Sequence, residues 1–400
     1  MSKSPPAATG RRAAYGFLAL LALAAFLNTT RAGFVWDDHA LATPAVGPTT
    51  AQDVAESLTP RYWTVAYKFK GKAYRPIRSI ILYLNYLCWG GDAGGYHLVS
   101  ALIHAANTLL AYGLMTRLAG SRLTGLLAAS LFAVHPVTAE SVAYVKNVGG
   151  LVATTCFLAA ARLFLAYADG SGVHGSRFTV HGSGFHRSAI RNPKSEIQNR
   201  VPRHLPYCLS LLIFAVGLLA REEVVMLPFF LCALGWLDRE RAPQGRWKFL
   251  VPFFILACAF VAIRVAIAGH AAASRNVMAM PDAGRVATVA ATLLNYVSLL
   301  ALPVNLCADR VFDVPLLILA GAGLFAGLAM LAALASRGRT WLIGLALGLI
   351  VLLPASNIIP LPDRPLAEQR AYLAAAGHAT MMACALRGLA RMRMWATLVA

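Results

Sequence analysis

The sequence predicts an all-α, polytopic membrane protein with about ten transmembrane helices. Three observations carry this expectation. Hydrophobic residues make up 58% of the 400 and charged residues 13%, against about 25% charged in soluble domains. The apolar residues fall in long blocks, and a bilayer-spanning helix needs about 20 of them. The charges are also sorted by the topology those blocks imply. With the N-terminus inside, segments 1–12, 117–122, 169–204, 238–248, 337–339 and 387–400 hold 20 of the 36 Lys and Arg but only 4 of the 17 Asp and Glu. The outside loops hold 14 and 13. Basic excess on the inner face is the usual sorting rule for membrane proteins, so the net charge of +19 reflects topology, not a nucleic-acid partner.

Taken in order, residues 1–12 carry Lys3, Arg11 and Arg12 and no acid, and the apolar run Ala13 to Thr30 reads as an uncleaved first span. A long polar and aromatic loop, 31–95, follows on the outer face as the first external loop of an N-terminal membrane module, 1–168. Further spans are expected near 96–116, 123–134 and 148–168, then near 205–220, 224–237, 249–269, 314–336, 340–353 and 371–386 in a C-terminal set of membrane helices, 205–386. The run Val286 to Pro303 is expected to be re-entrant or interfacial, because a span there would invert every later segment and place both charge-rich ends badly. Residues 387–400 form a basic cytoplasmic tail with Arg387, Arg391 and Arg393.

Between the two modules, 169–204 reads as a disordered, low-complexity cytoplasmic insertion. Val173-His-Gly-Ser-Arg-Phe-Thr is followed by Val180-His-Gly-Ser-Gly-Phe-His, with no core-forming pattern. His174, His181 and His186 belong to this repeat and are left out of any site. The seven cysteines are odd in number and lack a CxxC pair, so neither a disulfide framework nor a zinc site is suggested.

The candidate site is built from charges at the outer ends of spans. Asp37 and Asp38 lie a few residues past the first span. A carboxylate costs little at a bilayer surface, and this pair reads either as a catalytic acid-base group or as a solvated helix end. Lys68, Lys70 and Lys72, then Tyr74-Arg75-Pro76-Ile77-Arg78, place cations among aromatics, a composition that suits a lipid phosphate or interfacial anchoring. His97 and His104 are seven apart and share a helix face. His135-Pro136-Val137-Thr138-Ala139-Glu140-Ser141 marks a broken helix with Lys146 and Asn147 beyond it. Arg221-Glu222-Glu223 interrupts two spans, and Glu368-Gln369-Arg370 precedes the last, where Arg370 suits a phosphate charge. One Glu with one His is a weak metal signal, so no metal or other cofactor is implied and a divalent cation is not supported by spacing.

These segments recur in one order: Asp-Asp after the first span, Tyr-Arg-Pro, Gly-Tyr-His, Phe-Ala-Val-His-Pro-Val-x-x-Glu-Ser-Val-Ala, Arg-Glu-Glu, Pro-x-Ser-Asn and Glu-x-Arg-x-Tyr-Leu. In that order they resemble the membrane portion of the transmembrane-and-tetratricopeptide-repeat O-mannosyltransferases and their bacterial relatives. These are polyprenyl-phosphate-sugar-dependent glycosyltransferases of the GT-C fold. The resemblance covers roughly 13–386, apart from 169–204. It implies an inverting transfer of a mannose-like sugar from a polyprenyl-phosphate donor in the membrane lipid to a hydroxyl acceptor on protein, glycan or lipid. It makes Asp38 the first candidate for the general base and Asp37 the second. Arg75, Lys146, Arg221 and Arg370 become phosphate partners, with His135, Glu140, Glu222 and Glu368 around the substrate. It also implies a site on the outer face of a bacterial inner membrane.

Three positions depart from the family pattern. Val148-Gly149-Gly150 stand where an Arg and an acid are expected, Ala374 stands where a Pro is usual, and no 34-residue repeat period is visible in 387–400. Two other classes compete with a transferase: a transporter or flippase for a lipid-linked sugar, which would show internal pseudo-symmetry, and a catalytically inactive scaffold relative.

Overall fold

The structure is a computed structural model that describes residues 7–41, 47–59, 74–169, 204–237, 246–272, 282–308, 315–336, 338–358 and 366–399. Lys68, Lys70 and Lys72 lie outside the described residues, as do the three histidines of the repeat and the rest of 170–203.

Every regular element among the described residues is helical. In chain order they are α1 (Ala7–Phe26), α2 (Asp38–Leu41), α3 (Ala51–Ser57), α4 (Pro76–Trp89), α5 (Ala93–Ala119), α6 (Arg122–Val134), α7 (Ala139–Ala143) and α8 (Val148–Ala168). The second half supplies α9 (Leu205–Ala220), α10 (Leu227–Leu237), α11 (Val251–Ala272), α12 (Asp282–Ala301), α13 (Pro315–Ala335), α14 (Thr340–Leu352) and α15 (Tyr372–Val399). Short 3-10 turns at 136–138, 145–147, 222–226 and 368–371 join several of them.

Local chemistry sets the boundaries. The Asp92 carboxylate accepts from the Gly94 amide at 3.0 Å and caps α5, and the Ser121 hydroxyl accepts from the Thr124 amide at 3.3 Å and caps α6. Each satisfies an amide that has no partner within its helix. Pro76 and Pro206 fall in first turns, where a missing N–H costs nothing. Pro136 ends α6, and the chain bends by 54° before continuing as α7.

Five helical stretches are long and apolar enough to cross a bilayer: Gly10–Arg31, Ala93–Ala119, Val145–Ala168, Trp247–Ala266 and Pro315–Ala335. The bent pair α6–α7 is a sixth if it counts as one span. Several such helices in one chain make this an integral membrane protein. Leu205–Ala220, Val286–Ala301 and Thr340–Ala355 are apolar but shorter. The run read as re-entrant is therefore the apolar part of α12. The helix α15 runs on through Arg387, Arg391 and Arg393 to Val399.

The helices sort by what covers them. The stretches containing α5 and α8 are mostly buried, whereas those containing α1, α11 and α13 expose most of their apolar surface. Leu20, Ile255 and Leu316 face outward there, as lipid-facing side chains do. Around α5 and α8 pack α1, α6 and α9, while α12, α13 and α14 gather on α15, which also lies along α6 and joins the two groups. The α14–α15 crossing is backbone against backbone. A Cβ at Gly377 would stand 2.5 Å from both the Gly344 carbonyl oxygen and the Gly348 amide nitrogen, so only glycine permits that approach.

A buried polar chain fixes the head of α15. The His104 Nε2–H donates to the Ala133 carbonyl at 3.0 Å, which leaves Nδ1 as an acceptor for the Tyr372 hydroxyl at 2.7 Å. Asn107 Nδ2 donates to the same hydroxyl at 3.2 Å and to the Leu151 carbonyl at 3.0 Å. The chain ties α5, α6, α8 and α15 together directly beneath the 368–371 turn.

Candidate active site

The acid pair is held by a turn that does not leave the protein surface freely. Gly33 is anchored by His97 on α5, whose Nε2 lies 3.4 Å from the Gly33 carbonyl. The chain then reverses at Trp36, which has the left-handed φ of 49°. Such a conformation costs about 1–3 kcal/mol for an ordinary side chain and persists only where surroundings impose it. The imposing contact is Asp38. Its carboxylate is completely buried and accepts the Lys146 amide at 2.7 Å and the Val145 amide at 3.2 Å. Those are free N–H groups at the start of the 3-10 turn that leads into α8. Burial pushes the Asp38 carboxyl up to about 6. The two amides oppose that rise, and the neighbouring Asp37 charge adds to it.

Asp37 faces the other way. Its carboxylate pairs with the Lys146 ammonium, and both side chains keep about a third or more of their surface exposed. An ion pair so exposed contributes roughly 1 kcal/mol or less, so either partner can exchange it for a ligand. The Lys146 ammonium also stands 6.0 Å from the centre of the Tyr144 ring, and Trp36 meets Tyr144 edge to face at 6.2 Å.

A cationic cluster adjoins the acid turn. Arg75, at the start of α4, donates to Glu222 through Nη2 at 2.6 Å and Nε at 3.2 Å. Arg264 of α11 approaches the same carboxylate at 3.7 Å. Burial alone would raise the Glu222 carboxyl, but the charges of Arg75, Arg264 and Arg221 overcome it and hold the group well below its ordinary range. The charges of Arg75 and Arg78 also act on Lys146, which links the cluster to the acid turn.

Arg221 is nearly buried. It donates to Asn147 Oδ1 at 2.7 Å and stands 3.7 Å from Glu223. Burial raises the Glu223 carboxyl, and the charges of Arg221, Arg75 and Arg370 partly offset that rise. Arg221 fits because Gly150 has no side chain. A Cβ there would lie 2.3 Å from the Arg221 Nη1 and 2.7 Å from Asn147 Oδ1.

The second carboxylate group organises the turn before α15. Glu140 on α7 accepts the Gln369 amide at 2.8 Å, and the Ser141 hydroxyl donates to the Gln369 carbonyl at 3.2 Å. Glu368 is buried and accepts the Cys307 amide at 2.7 Å. These bonds hold Arg370, on the same turn, where its charge acts on Glu223. The His135 Nε2–H donates to the Leu300 carbonyl at 3.0 Å and its Nδ1 accepts the Val137 amide at 3.2 Å, so both ring nitrogens are used in clipping α12 to the α6–α7 bend.

The residues singled out from the sequence therefore fall into three places. Asp37, Asp38, Lys146, Arg75, Arg221, Glu222 and Arg370 share one charged region. Glu140 and Glu368 support its edge through backbone amides, and His135 clips α12 to the α6–α7 bend. Arg78, Asn147 and Glu223, which stand in the same motifs, join the region, and so does Arg264, which was not a candidate. Arg264 carried a signal, since a permanent cation inside an apolar span is a functional marker by default. Among the described residues no three His, Cys, Asp or Glu side chains gather as a metal-holding group.

No family model matches the chain, and no solved structure matches it. Curated proteins do. The chain is 35% identical over 149 residues to protein O-mannosyl-transferase Tmtc1 of Drosophila melanogaster, covering 37% of this chain and 17% of that protein. It is 34% identical over 145 residues to protein O-mannosyl-transferase Tmtc2 of the same fly, covering 36% and 16%. A longer, weaker match, 25% identical over 346 residues, takes in 80% of the chain and 43% of protein O-mannosyl-transferase F38B6.6 of Caenorhabditis elegans. The chain thus spans less than half the length of these relatives, and its similarity is to proteins named as O-mannosyl-transferases.

Proposed function

We propose that this chain is a membrane glycosyltransferase that moves a mannose-like sugar from a polyprenyl-phosphate carrier to a hydroxyl acceptor. The arrangement is a GT-C one of about ten spans, with the charged region opening on the non-cytosolic face. The acceptor oxygen attacks the anomeric carbon from the side opposite the phosphate, so the configuration inverts. The bond from that carbon to the phosphate oxygen breaks, its electron pair leaves with the polyprenyl phosphate, and the hydroxyl proton passes to a carboxylate.

Asp37 is the carboxylate best placed to take that proton, because its side chain is half exposed while Asp38 is closed off. Asp38 does the holding: its bonds to the Val145 and Lys146 amides fix the turn that aims Asp37. Lys146 is the switch between ligands. When the donor phosphate arrives, the ammonium exchanges Asp37 for phosphate, which frees Asp37 as a base. Arg75, Arg221 and Arg370 add positive charge against the departing phosphate, as leaving-group stabilisation requires.

The observation that carries this reading is the double hold of the acid turn on Lys146, whose ammonium pairs with Asp37 while its amide donates to Asp38. The similarity to proteins named O-mannosyl-transferases supports the same chemistry. The test is a reconstituted-vesicle assay with labelled polyprenyl-phosphate mannose and a hydroxyl acceptor. A transferase forms glycosylated acceptor. Movement of lipid across the bilayer without product indicates a flippase, neither event indicates a scaffold, and either result overturns the proposal.

A further inference from the structure

Trp36 stands in the wrong conformation for its residue type. Among the described residues three non-glycine positions have positive φ: Trp36, Asn305 and Asn357. Asparagine tolerates the left-handed region, whereas a bulky side chain there is an outlier. If the turn alone were required, glycine or asparagine at 36 would give it with less strain. Gly33, three residues earlier, has no such φ, so the flexible residue is not where the backbone needs flexibility. The side chain at 36 must therefore contribute something a smaller one would not.

Its surroundings indicate what. Trp36 is 54% exposed and next in sequence to Asp37. Its ring meets Tyr144 edge to face at 6.2 Å and 88°. Lys146, which pairs with Asp37, lies 6.0 Å from the Tyr144 ring centre. Two aromatic rings thus border an exposed carboxylate and ammonium. A hexopyranose has that combined need. One face presents C–H groups that pack on the electron-rich face of an aromatic ring, and the rim presents hydroxyls that bond to charged groups. A bilayer anchor would need the ring but neither the strained backbone nor the adjoining charges.

We propose that Trp36, with Tyr144 behind it, binds the pyranose ring of the lipid-linked sugar and so distinguishes the loaded carrier from the spent one. This rests on the transferase reading and assigns the sugar-recognising part of its site. After transfer only polyprenyl phosphate remains, so a wall that holds sugar and not phosphate favours product exit.

The test compares equilibrium binding of polyprenyl-phosphate mannose and sugar-free polyprenyl phosphate to the full chain in lipid nanodiscs. Wild type should prefer the sugar-bearing lipid. Trp36→Gly, which relieves the backbone strain, should lose about tenfold in affinity for that lipid, leave the sugar-free lipid unchanged and keep its thermal midpoint. Trp36→Phe should recover part of the preference. Equal weakening of both lipids, or an unchanged preference in Trp36→Gly, overturns the assignment while leaving the transferase reading intact. Failure of wild type to bind either lipid overturns both.

Discussion

The Arg221 guanidinium reaches Asn147 Oδ1 at 2.7 Å through the space that Gly150 leaves open. This joins the break before the 222–226 turn to the start of α8, and it places a nearly buried cation one residue from Lys146. It also gives a physical sense to Val148-Gly149-Gly150. With Gly149 only 3.2 Å, at a built Cβ, from the Ala220 carbonyl, the chain keeps the α8 start narrow and brings its guanidinium from the α9 end.

Gly150→Ala tests that arrangement. The added methyl displaces the end of a flexible side chain, not backbone, so the fold should tolerate it. Arg221 should lose its seat on Asn147, and the KM for the lipid-linked donor should rise about tenfold, the effect of losing roughly one charge-assisted hydrogen bond. Kinetics beside thermal unfolding check this. An unchanged KM would mean that Arg221 does not need its present position.

Glu222→Gln should lower stability at neutral pH by about 1.5–3 kcal/mol, because Arg75 loses a two-point bond to a charged acceptor. The sign follows from its depressed carboxyl. The wild-type contribution is fully present above the ordinary carboxylate range and is lost as pH falls through the lower folded value. The variant's deficit should therefore shrink in acid, which unfolding curves at neutral and acid pH would reveal.

Asp38 should behave in the opposite sense. Its carboxyl is raised to about 6, so its linkage term favours the fold below the unfolded value near 4 and fades as pH rises through 6. Asp38→Asn should remove that part of the pH dependence. It should also weaken the turn, because one amide, Val145 or Lys146, then faces the wrong end of the carboxamide. Thermal midpoints across pH 4 to 7 read both effects.

Tyr372→Phe should cost about 1–3 kcal/mol by leaving His104 Nδ1 and an Asn107 N–H unsatisfied in the core. Donor affinity should fall as well, since the 368–371 turn carries Arg370. Chemical denaturation and donor binding of the same preparations measure the two consequences.

The helices were legible in the sequence and the site's wiring was not. The described residues of the nine runs expected after the first span are mostly helical, because unbroken apolar length is a local signal. Arg75 and Glu222 pair across 147 positions, and Arg221 and Asn147 across 74. No local pattern reports such pairings, so the motifs gave the residues without their partners. His135 shows the converse. Its place beside Pro136 drew attention to a helix break, and the ring is occupied in holding that break to Leu300. Two adjacent aspartates also do not reveal which of them is buried.

The central claim is that Asp37 accepts the acceptor's proton once Lys146 turns to phosphate. The most direct measurement is the single-turnover rate of hexose transfer by Asp37→Asn and wild type in the same vesicles, with thermal midpoints recorded for both. The account predicts a rate lower by about 10²–10⁴-fold and a midpoint nearly unchanged, because the ion pair to Lys146 that the variant loses is exposed. A variant that transfers at the wild-type rate would contradict it.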